Sequence, residues 1–426
     1  MNEPELQSLP PDDPIDLLER PVFSVSDADG NHSVVSLAEL LARLSNEQAT
    51  ELAQLMPHQQ HVMHAFVVQL MALVAARGGL EPSSLSRTAE GWRDALRQLA
   101  GSAEAFQLVV KDLSKPAFLQ PPVMDGSLDK FKDVSTPDSL DVLVLAKNHD
   151  VKAARIRYPR IEHWVFALLS LQTQQGFSGR DNYGVARMNG GFGNRPGFGM
   201  TPSLEWARRV LRDVRVALKA RPALLSDTYP YQPTGTALLW VEPWDGTVSS
   251  AMASLDPFFI EICRRVRVTR GPAGLQVLMT STKVPRLEGK IMQGSTGDLW
   301  TPVDVVRGAA LTLPGAGLTY ARMSQLLFDD DWVRPAALEL SVEDGDHPLA
   351  VARALVRGQG KTEGLHERVV MVPPRTRNLF ARPQGRARLG SLAKQRIEAA
   401  RTLRLKVLKP AVCALLQGGA DDLSFD

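Results

Sequence analysis

Two glycine-rich segments that also carry basic and amide side chains lie far apart in this sequence. The first runs from Gln175 to Tyr183 and continues from Ala186 to Gly197, and the second spans Arg357 to Gly364. Glycine lets a backbone approach its partner closely, while Arg, Lys, Asn and Gln donate hydrogen bonds to phosphate oxygens and base edges. We therefore expect the two segments to meet on one surface and to grip a nucleic-acid backbone.

The charge distribution supports local contact with a polyanion. The formal net charge is only +2, which excludes a uniformly basic, histone-like binder. Between Arg375 and Pro410, however, eleven Lys or Arg residues stand against the single acid Glu398. Such asymmetry favours docking of one region onto an acidic partner.

Cysteine content and hydropathy indicate the cellular compartment in which we expect the protein. Cys263 and Cys413 are the two cysteines of the sequence, so a four-cysteine zinc site and a disulfide framework are excluded. The longest apolar stretch, Val62 to Ala76, falls short of the roughly 20 residues that a membrane-spanning helix needs. The N-terminus lacks the features of a signal peptide. We expect a soluble protein of a reducing cytoplasm, without contact to a membrane.

The periodicity predicts a mixture of helices and strands without regular βαβ alternation, which favours an α+β fold. We expect a large mixed α/β N-terminal domain, residues 1–374, and a short basic helical C-terminal region, residues 375–426. Helices are predicted after a cap at Ser36 and over residues 58–76, 88–99, 103–113, 161–174, 203–218 and 389–416, the last interrupted at Pro410. Strands are predicted at residues 237–241, 275–279 and 367–373.

The stretch Gly358 to Thr362 resembles the end of a phosphate-binding P-loop, which would make the protein an NTPase. That motif requires a glycine where Leu355 stands and a helix that begins at Lys361. The strand-like residues 369–372 argue against such a helix. An NTPase remains an alternative, without other cofactor or metal motifs to support it.

Two histidine-containing stretches suggest metal chemistry only weakly. His58, His61 and His64 cannot all share one helix face, so a solvated helix start is favoured over a zinc site. Asn148, His149 and Asp150 lie among basic residues and lack further acids that would complete a nuclease metal shell. We interpret them as a basic loop that contacts phosphate, and we assign no catalytic residue.

Taken in order along the chain, several motifs resemble CasA, the large subunit of the type I-E CRISPR complex Cascade. They are Leu17 to Val22 with Leu37 to Ala42, Pro116 to Gln120, Leu168 to Gly197, Leu238 to Trp244, Gly297 to Pro302 and Gly358 to Arg368. The resemblance covers nearly the whole chain. Each motif is weak alone, and their combination is specific.

The resemblance implies a non-enzymatic subunit that reads a protospacer-adjacent motif in double-stranded DNA and starts strand separation. Its implied partners are target DNA, guide RNA, other Cascade subunits and a helicase-nuclease effector. The implied DNA contacts are Gln175, Gly176, Phe177, Ser178, Gly179, Arg180, Lys283, Lys361, Thr362 and Glu363. The implied contacts to guide RNA and backbone subunits are Asn148, His149, Lys152, Arg155 and Arg157.

Two departures from the CasA pattern matter. Thr362 stands where the best-known members have a glutamine that is inserted as a wedge under the motif. The lysine that the family inserts into the DNA, its lysine finger, falls between Lys283 and Lys290 here, and we favour Lys283. The family ends in a four-helix bundle, whereas one long basic helix is predicted here. A general single-strand-binding scaffold, without preference for a flanking motif, remains a further alternative.

Overall fold

A computed structural model describes the chain except residues 1–13, 28, 49–50, 135, 144–155, 157, 192, 272–273, 314, 342–343, 359–360 and 419–426. The α-helices are α1 Leu37–Ser45, α2 Gln60–Gly78, α3 Ala89–Ala100, α4 Pro137–Leu140, α5 Ile161–Gln174, α6 Trp206–Leu224, α7 Tyr320–Phe328, α8 Pro374–Phe380, α9 Pro383–Leu403 and α10 Lys409–Gln417. The strands are β1 Phe23–Ser26, β2 His32–Val35, β3 Glu51–Leu52, β4 Lys132–Val134, β5 Gly197–Thr201, β6 Thr236–Leu238, β7 Leu255–Ile260, β8 Arg265–Gly271, β9 Gly274–Thr280, β10 Val303–Asp304, β11 Ala309–Ala310, β12 Trp332–Val333, β13 Leu349–Gly358 and β14 Lys361–Met371.

The strands form small separate sheets around which the helices pack. Their orders are β2-β1-β3, β4-β9-β8, β14-β13-β5, β11-β10-β12 and β6-β7. All pairings are antiparallel except that of β6 with β7. The predicted α+β class is confirmed.

Local sequence signals fixed several helices. Ser36 caps α1 through a capping box, in which its Oγ accepts from the Glu39 amide and Glu39 accepts from the Ser36 amide. Helix α5 begins and ends at the predicted residues. The stretch Pro57–Gly78, which includes α2, is long and apolar enough to cross a membrane, but most of it is buried inside the protein. It is thus the central core helix.

The helix predicted over residues 103–113 was wrong. This segment runs as turns and extended chain, and its backbone pairs with distant strand-like segments: the Leu17 amide donates to the Phe106 carbonyl, and the Leu108 amide donates to the Ile15 carbonyl. Phe106 and Leu108 are buried. Long-range backbone pairing and burial outweighed the local helical pattern, because propensity is a weak term beside tertiary packing.

The long basic helix of the C-terminal region is present and begins at Pro383, six residues earlier than predicted. Helix α9 packs on α7 and α8, where Lys394 pairs with Asp329 at 2.9 Å. A π-helical turn, Arg404–Leu408, joins α9 to α10. The expected interruption near Pro410 is present as this π-helical turn, which ends two residues before Pro410. Proline lacks the N–H that would bond the carbonyl four residues earlier, and that residue lies within the turn.

Most of the hydrophobic core is one large cluster around α2, α5 and α6, and a second cluster lies beneath β5, β13 and α7. Charged residues of α6 join the two. Arg212 is buried, pairs with Asp344 at 2.9 Å, and donates to the carbonyl oxygens of Ala337 and Glu339. Its guanidinium also contacts Asp213.

Asp213 carries the same network into the large core. It accepts hydrogen bonds from Trp300 Nε1 at 2.8 Å and pairs with His64 Nε2 at 2.9 Å. Burial raises the pKa of Asp213, but the hydrogen bond with His64, the Arg212 guanidinium and the Trp300 bond outweigh it and lower that pKa to about 2. Asp213 is thus ionised at neutral pH and fully partnered.

We expect Arg212→Ala to lower the free energy of unfolding by about 3–5 kcal/mol, because it leaves Asp213 and Asp344 buried without their cation. Chemical denaturation at pH 7 measures this. Arg208→Ala on the same helix is the control, since its ion pair with Glu205 is exposed and contributes about 1 kcal/mol or less. Equal losses in the two variants would contradict the role of the network.

Candidate nucleic-acid interface

The first glycine segment folds back on itself directly after α5. Gln175 pairs with Asn194 in an antiparallel bridge. The Gly176 amide donates to the Gly193 carbonyl, and the Phe177 amide donates to the Gly191 carbonyl, both at 3.1 Å. The two arms of the segment therefore form a closed, hydrogen-bonded loop.

Gly176 is buried where the two arms cross. A Cβ at this position would lie 2.3 Å from the Gly193 carbonyl oxygen. A Cβ on Gly184 would likewise lie 2.3 Å from the backbone of Gly176. These two glycines are required by the loop itself, because backbone packs on backbone with no room for a side chain.

The tip of the loop is open. Residues 178–182 form a turn in which the Ser178 amide donates to the Asn182 carbonyl at 2.9 Å. Gly179 has φ +118° and nothing within 4 Å of its missing Cβ, so here glycine serves the backbone conformation. The Arg180 side chain is 95% exposed. The tip thus presents a hydrogen-bonded turn with small residues and one exposed cation to solvent.

Two other arginines of this segment do not face solvent. Arg187 is buried with its guanidinium 3.9 Å from the centre of the Phe259 ring and donates to the Phe259 carbonyl. Arg195 is buried in a bidentate pair with Asp298, with 2.7 Å between Nη2 and Oδ1. From sequence, the basic residues of this segment were expected to face a nucleic acid. Arg187 and Arg195 are instead buried and hydrogen-bonded, so they stabilise the fold.

Lys283 lies beside the tip. The Thr282 amide donates to the Asp181 carbonyl, and the Tyr183 hydroxyl donates to the Lys283 carbonyl, both at 3.1 Å. The Lys283 side chain is exposed. The backbone around Lys283 is therefore attached to the turn that carries Arg180.

The second glycine segment lies at the end of a long hairpin. Strands β13 and β14 pair from Leu349 with Met371 to Gly358 with Lys361, with a register shift at Val356/Arg357. The Thr362 hydroxyl donates to the Leu143 carbonyl at 3.1 Å, and Glu363 is exposed. Lys361 begins a strand, whereas a P-loop lysine begins a helix. This geometry overturns the P-loop alternative.

The roots of the two segments meet. Arg357 Nη1 donates to Asn194 Oδ1 at 3.1 Å, inside the protein. Arg264 Nη2 donates to Gln175 Oε1 at 2.7 Å at the same level of the loop. Burial and the nearby Arg264 lower the pKa of Arg357 to about 10, so it remains cationic at neutral pH. Sequence reasoning missed Asn194, Arg264 and Arg357 as positioning residues because their partners are distant in sequence.

The side chains of the three histidines at the helix start are buried, which corrects the expectation of a solvated surface. His58 Nε2 pairs with Asp141 Oδ1 at 2.8 Å, and His64 pairs with Asp213. His61 packs its ring against Gly197. Each histidine faces a different neighbour, and the described residues contain no group of three His, Cys, Asp or Glu suited to a metal ion. The predicted RNA-docking residues Asn148, His149, Lys152, Arg155 and Arg157 lie outside the described residues.

Comparison with solved structures finds the same architecture. CasA (Cse1) from Thermus thermophilus superposes with a TM-score of 0.59 at 16% identity, over 96% of this chain and 83% of that chain. Cse1 from Thermobifida fusca gives 0.64 at 14% identity, over 96% and 81%. A chain of a CRISPR RNA-guided surveillance complex gives 0.53 at 14% identity, over 96% and 87%.

No protein-family model matches this sequence, and no curated protein matches it. The likeness to solved structures, at 14–16% identity, shows the fold. The molecule is thus an α+β protein with two joined glycine segments. More particularly, it has the CasA fold, and the resemblance seen in the sequence motifs is confirmed at that level.

We expect Gly176→Ala to destabilise the protein by about 1–3 kcal/mol, since the new methyl group overlaps the opposite arm of the loop. Gly199→Ala on β5 is the control, because its methyl group would meet nothing closer than 3.4 Å. Thermal unfolding compares the two variants. A Gly176→Ala protein as stable as Gly199→Ala would show that the arms are not closely packed.

Proposed function

We propose that this chain is the large subunit of an RNA-guided CRISPR surveillance complex of the type I-E kind. In this proposal it reads a protospacer-adjacent motif in double-stranded DNA through the minor groove and begins strand separation. The hydrogen bond between Arg357 and Asn194 is the observation that carries the proposal. It joins the roots of two glycine segments within a fold shared with CasA chains.

The exposed cations suit a DNA backbone. Arg180 and Lys283 are exposed and lie on two connected turns, with Lys290 exposed a few residues further along the chain. Phosphate contacts of this kind fix the register of a protein on DNA without reading sequence. Because the turns are hydrogen-bonded to each other, the backbone that carries the two cations needs little reordering when DNA binds.

The open tip suits the minor groove. That groove is about 6 Å wide and offers a degenerate pattern of donors and acceptors. Ser178 and Gly179 at the tip are small and partly exposed, so they enter such a groove with little steric conflict. A reader of this kind tolerates several motifs and depends on the shape of the groove.

Strand separation is assigned to the hairpin start at Lys361, Thr362 and Glu363. Unstacking one base step costs a few kcal/mol, which is offset by protein contacts and by pairing of the guide with the target strand. Thr362 is shorter than glutamine, and its hydroxyl bonds the Leu143 carbonyl. As a wedge it would exchange this bond for contacts with DNA.

The role is one of binding, without catalysis and without a cofactor. The proposed partners are target DNA, guide RNA, the other subunits of the complex and a helicase-nuclease that acts after strand separation. The proposed location is the cytoplasm, where guide RNA and invading DNA meet. The predicted RNA-docking residues around Asn148 and Arg157 belong to this proposal.

In the complex assembled with guide RNA, we expect Arg180→Glu and Lys283→Glu each to weaken binding to motif-bearing duplex about 10-fold. Each should also reduce the salt dependence of binding by about one phosphate contact. Binding to a pre-melted target should change far less, because pairing with the guide dominates there. Equilibrium binding to a duplex pool with randomised flanking positions measures both affinity and motif preference.

Lys219→Glu on α6 serves as the charge-matched control, since it is exposed and lies outside both segments. Losses of equal size on duplex and pre-melted DNA would contradict the proposed reading of the duplex. Binding without any preference for a flanking motif would support the single-strand scaffold instead.

A further inference from the structure

A small cavity lies at the junction of the two glycine segments and the core helix α2. Its volume is about 20 Å³, which is room for one water-sized occupant. It is lined by Gln174 at the end of α5, by Asn194 and Arg195 of the first segment, by Arg353 and Leu365 of the hairpin, and by His61 of α2.

Two buried side-chain nitrogens of residues that line the cavity have no partner in the part of the chain that the structure describes. Gln174 is 2% exposed, and its Nε2 makes no hydrogen bond. His61 is 9% exposed, and its Nε2 is likewise unpartnered. The Nε of Arg353 is a third such atom on a side chain that lines the cavity. Buried polar groups without partners are costly, so three around one cavity indicate an occupant.

The wall is rich in donors and contains no carboxylate. Arg195 and Arg353 are both cations, and their counterions Asp298 and Glu367 lie outside the lining. Burial, followed by the charge of Arg195, lowers the pKa of His61 well below its usual value. His61 is therefore neutral at pH 7, with one ring nitrogen that donates and one that accepts.

We propose that this cavity binds a single monatomic anion, chloride or bromide, held by the side chains of Gln174, His61 and Arg353. An anion accepts from every donor on the wall. Water is the competing occupant, because it can donate to the Gln174 side-chain oxygen and to the accepting ring nitrogen of His61. The positive charges of Arg195 and Arg353, with no carboxylate in the lining, favour an anion over water. The volume excludes polyatomic anions such as gluconate.

The bound ion connects three parts of the fold. Gln174 holds the first segment in place, because the Gln174 carbonyl accepts a hydrogen bond from the Arg195 amide at 3.1 Å. Arg353 belongs to the hairpin, and His61 belongs to the core helix. The anion thus adds a second connection between the roots of the segments, beside the Arg357–Asn194 bond, and it does so whether or not the protein binds DNA.

The test compares thermal unfolding of the full chain in sodium bromide, chloride and gluconate at one fixed ionic strength. A halide bound only by the native state should raise the melting temperature by about 2 °C or more over gluconate. Gln174→Leu, which removes the donor at similar volume, should abolish this difference. Gln98→Leu at an exposed position of α3 should retain it.

Crystals grown in bromide give a direct readout. We expect an anomalous peak within hydrogen-bond distance of Gln174 Nε2. Equal melting in halide and gluconate, together with density that fits only water, would overturn the proposal. If Gln174→Leu does not fold, His61→Phe replaces it, and the comparison of salts on the wild-type chain decides by itself.

Discussion

The arrangement of this protein depends on a buried network of charged groups that begins at α6. Arg212 reaches the second core through Asp344 and two backbone carbonyls, while Asp213 reaches the first through His64 and Trp300. Burial of ions is tolerated only when every partner is present, so the network permits one relative position of the two cores. These partners lower the pKa of Asp213 to about 2 against the opposing effect of burial.

This network extends to the candidate interface. The Trp300 amide donates to Asp298, which in turn holds Arg195 at the root of the first glycine segment. Asn194, one residue earlier, receives the hydrogen bond from Arg357 of the hairpin. Rigid roots and an open tip suit the proposed reading of DNA, because a site built on fixed elements loses little entropy when its ligand binds. Buried and exposed cations thus have different roles. Arg195 and Arg357 are buried and position the backbone, while Arg180 and Lys283 are exposed and can contact phosphate in the proposed function.

Several elements could be predicted from sequence because their causes are local. The capping box at Ser36 and the boundaries of α5 depend on neighbouring residues, and both were found where expected. The helix expected over residues 103–113 failed because Phe106 and Leu108 pair with the chain around Ile15 and Leu17. The histidines at positions 58, 61 and 64 were misread as a solvated surface for a related reason. The carboxylate partners of His58 and His64, Asp141 and Asp213, stand about 80 and 150 residues away, where no spacing rule applies.

The sequence by itself determined the α+β class, the glycine-rich character of both segments and the order of motifs that resembles CasA. These follow from residue type and short-range pattern, which depend on local conformation. Only the tertiary structure decided which arginines are buried, that Lys361 begins a strand, and that the segments share the Arg357–Asn194 contact. The reason is physical, because desolvation and long-range hydrogen bonds depend on groups that folding brings together. An arginine is buried only where a carboxylate, a carbonyl or an aromatic ring packs against it, and otherwise it stays at the surface.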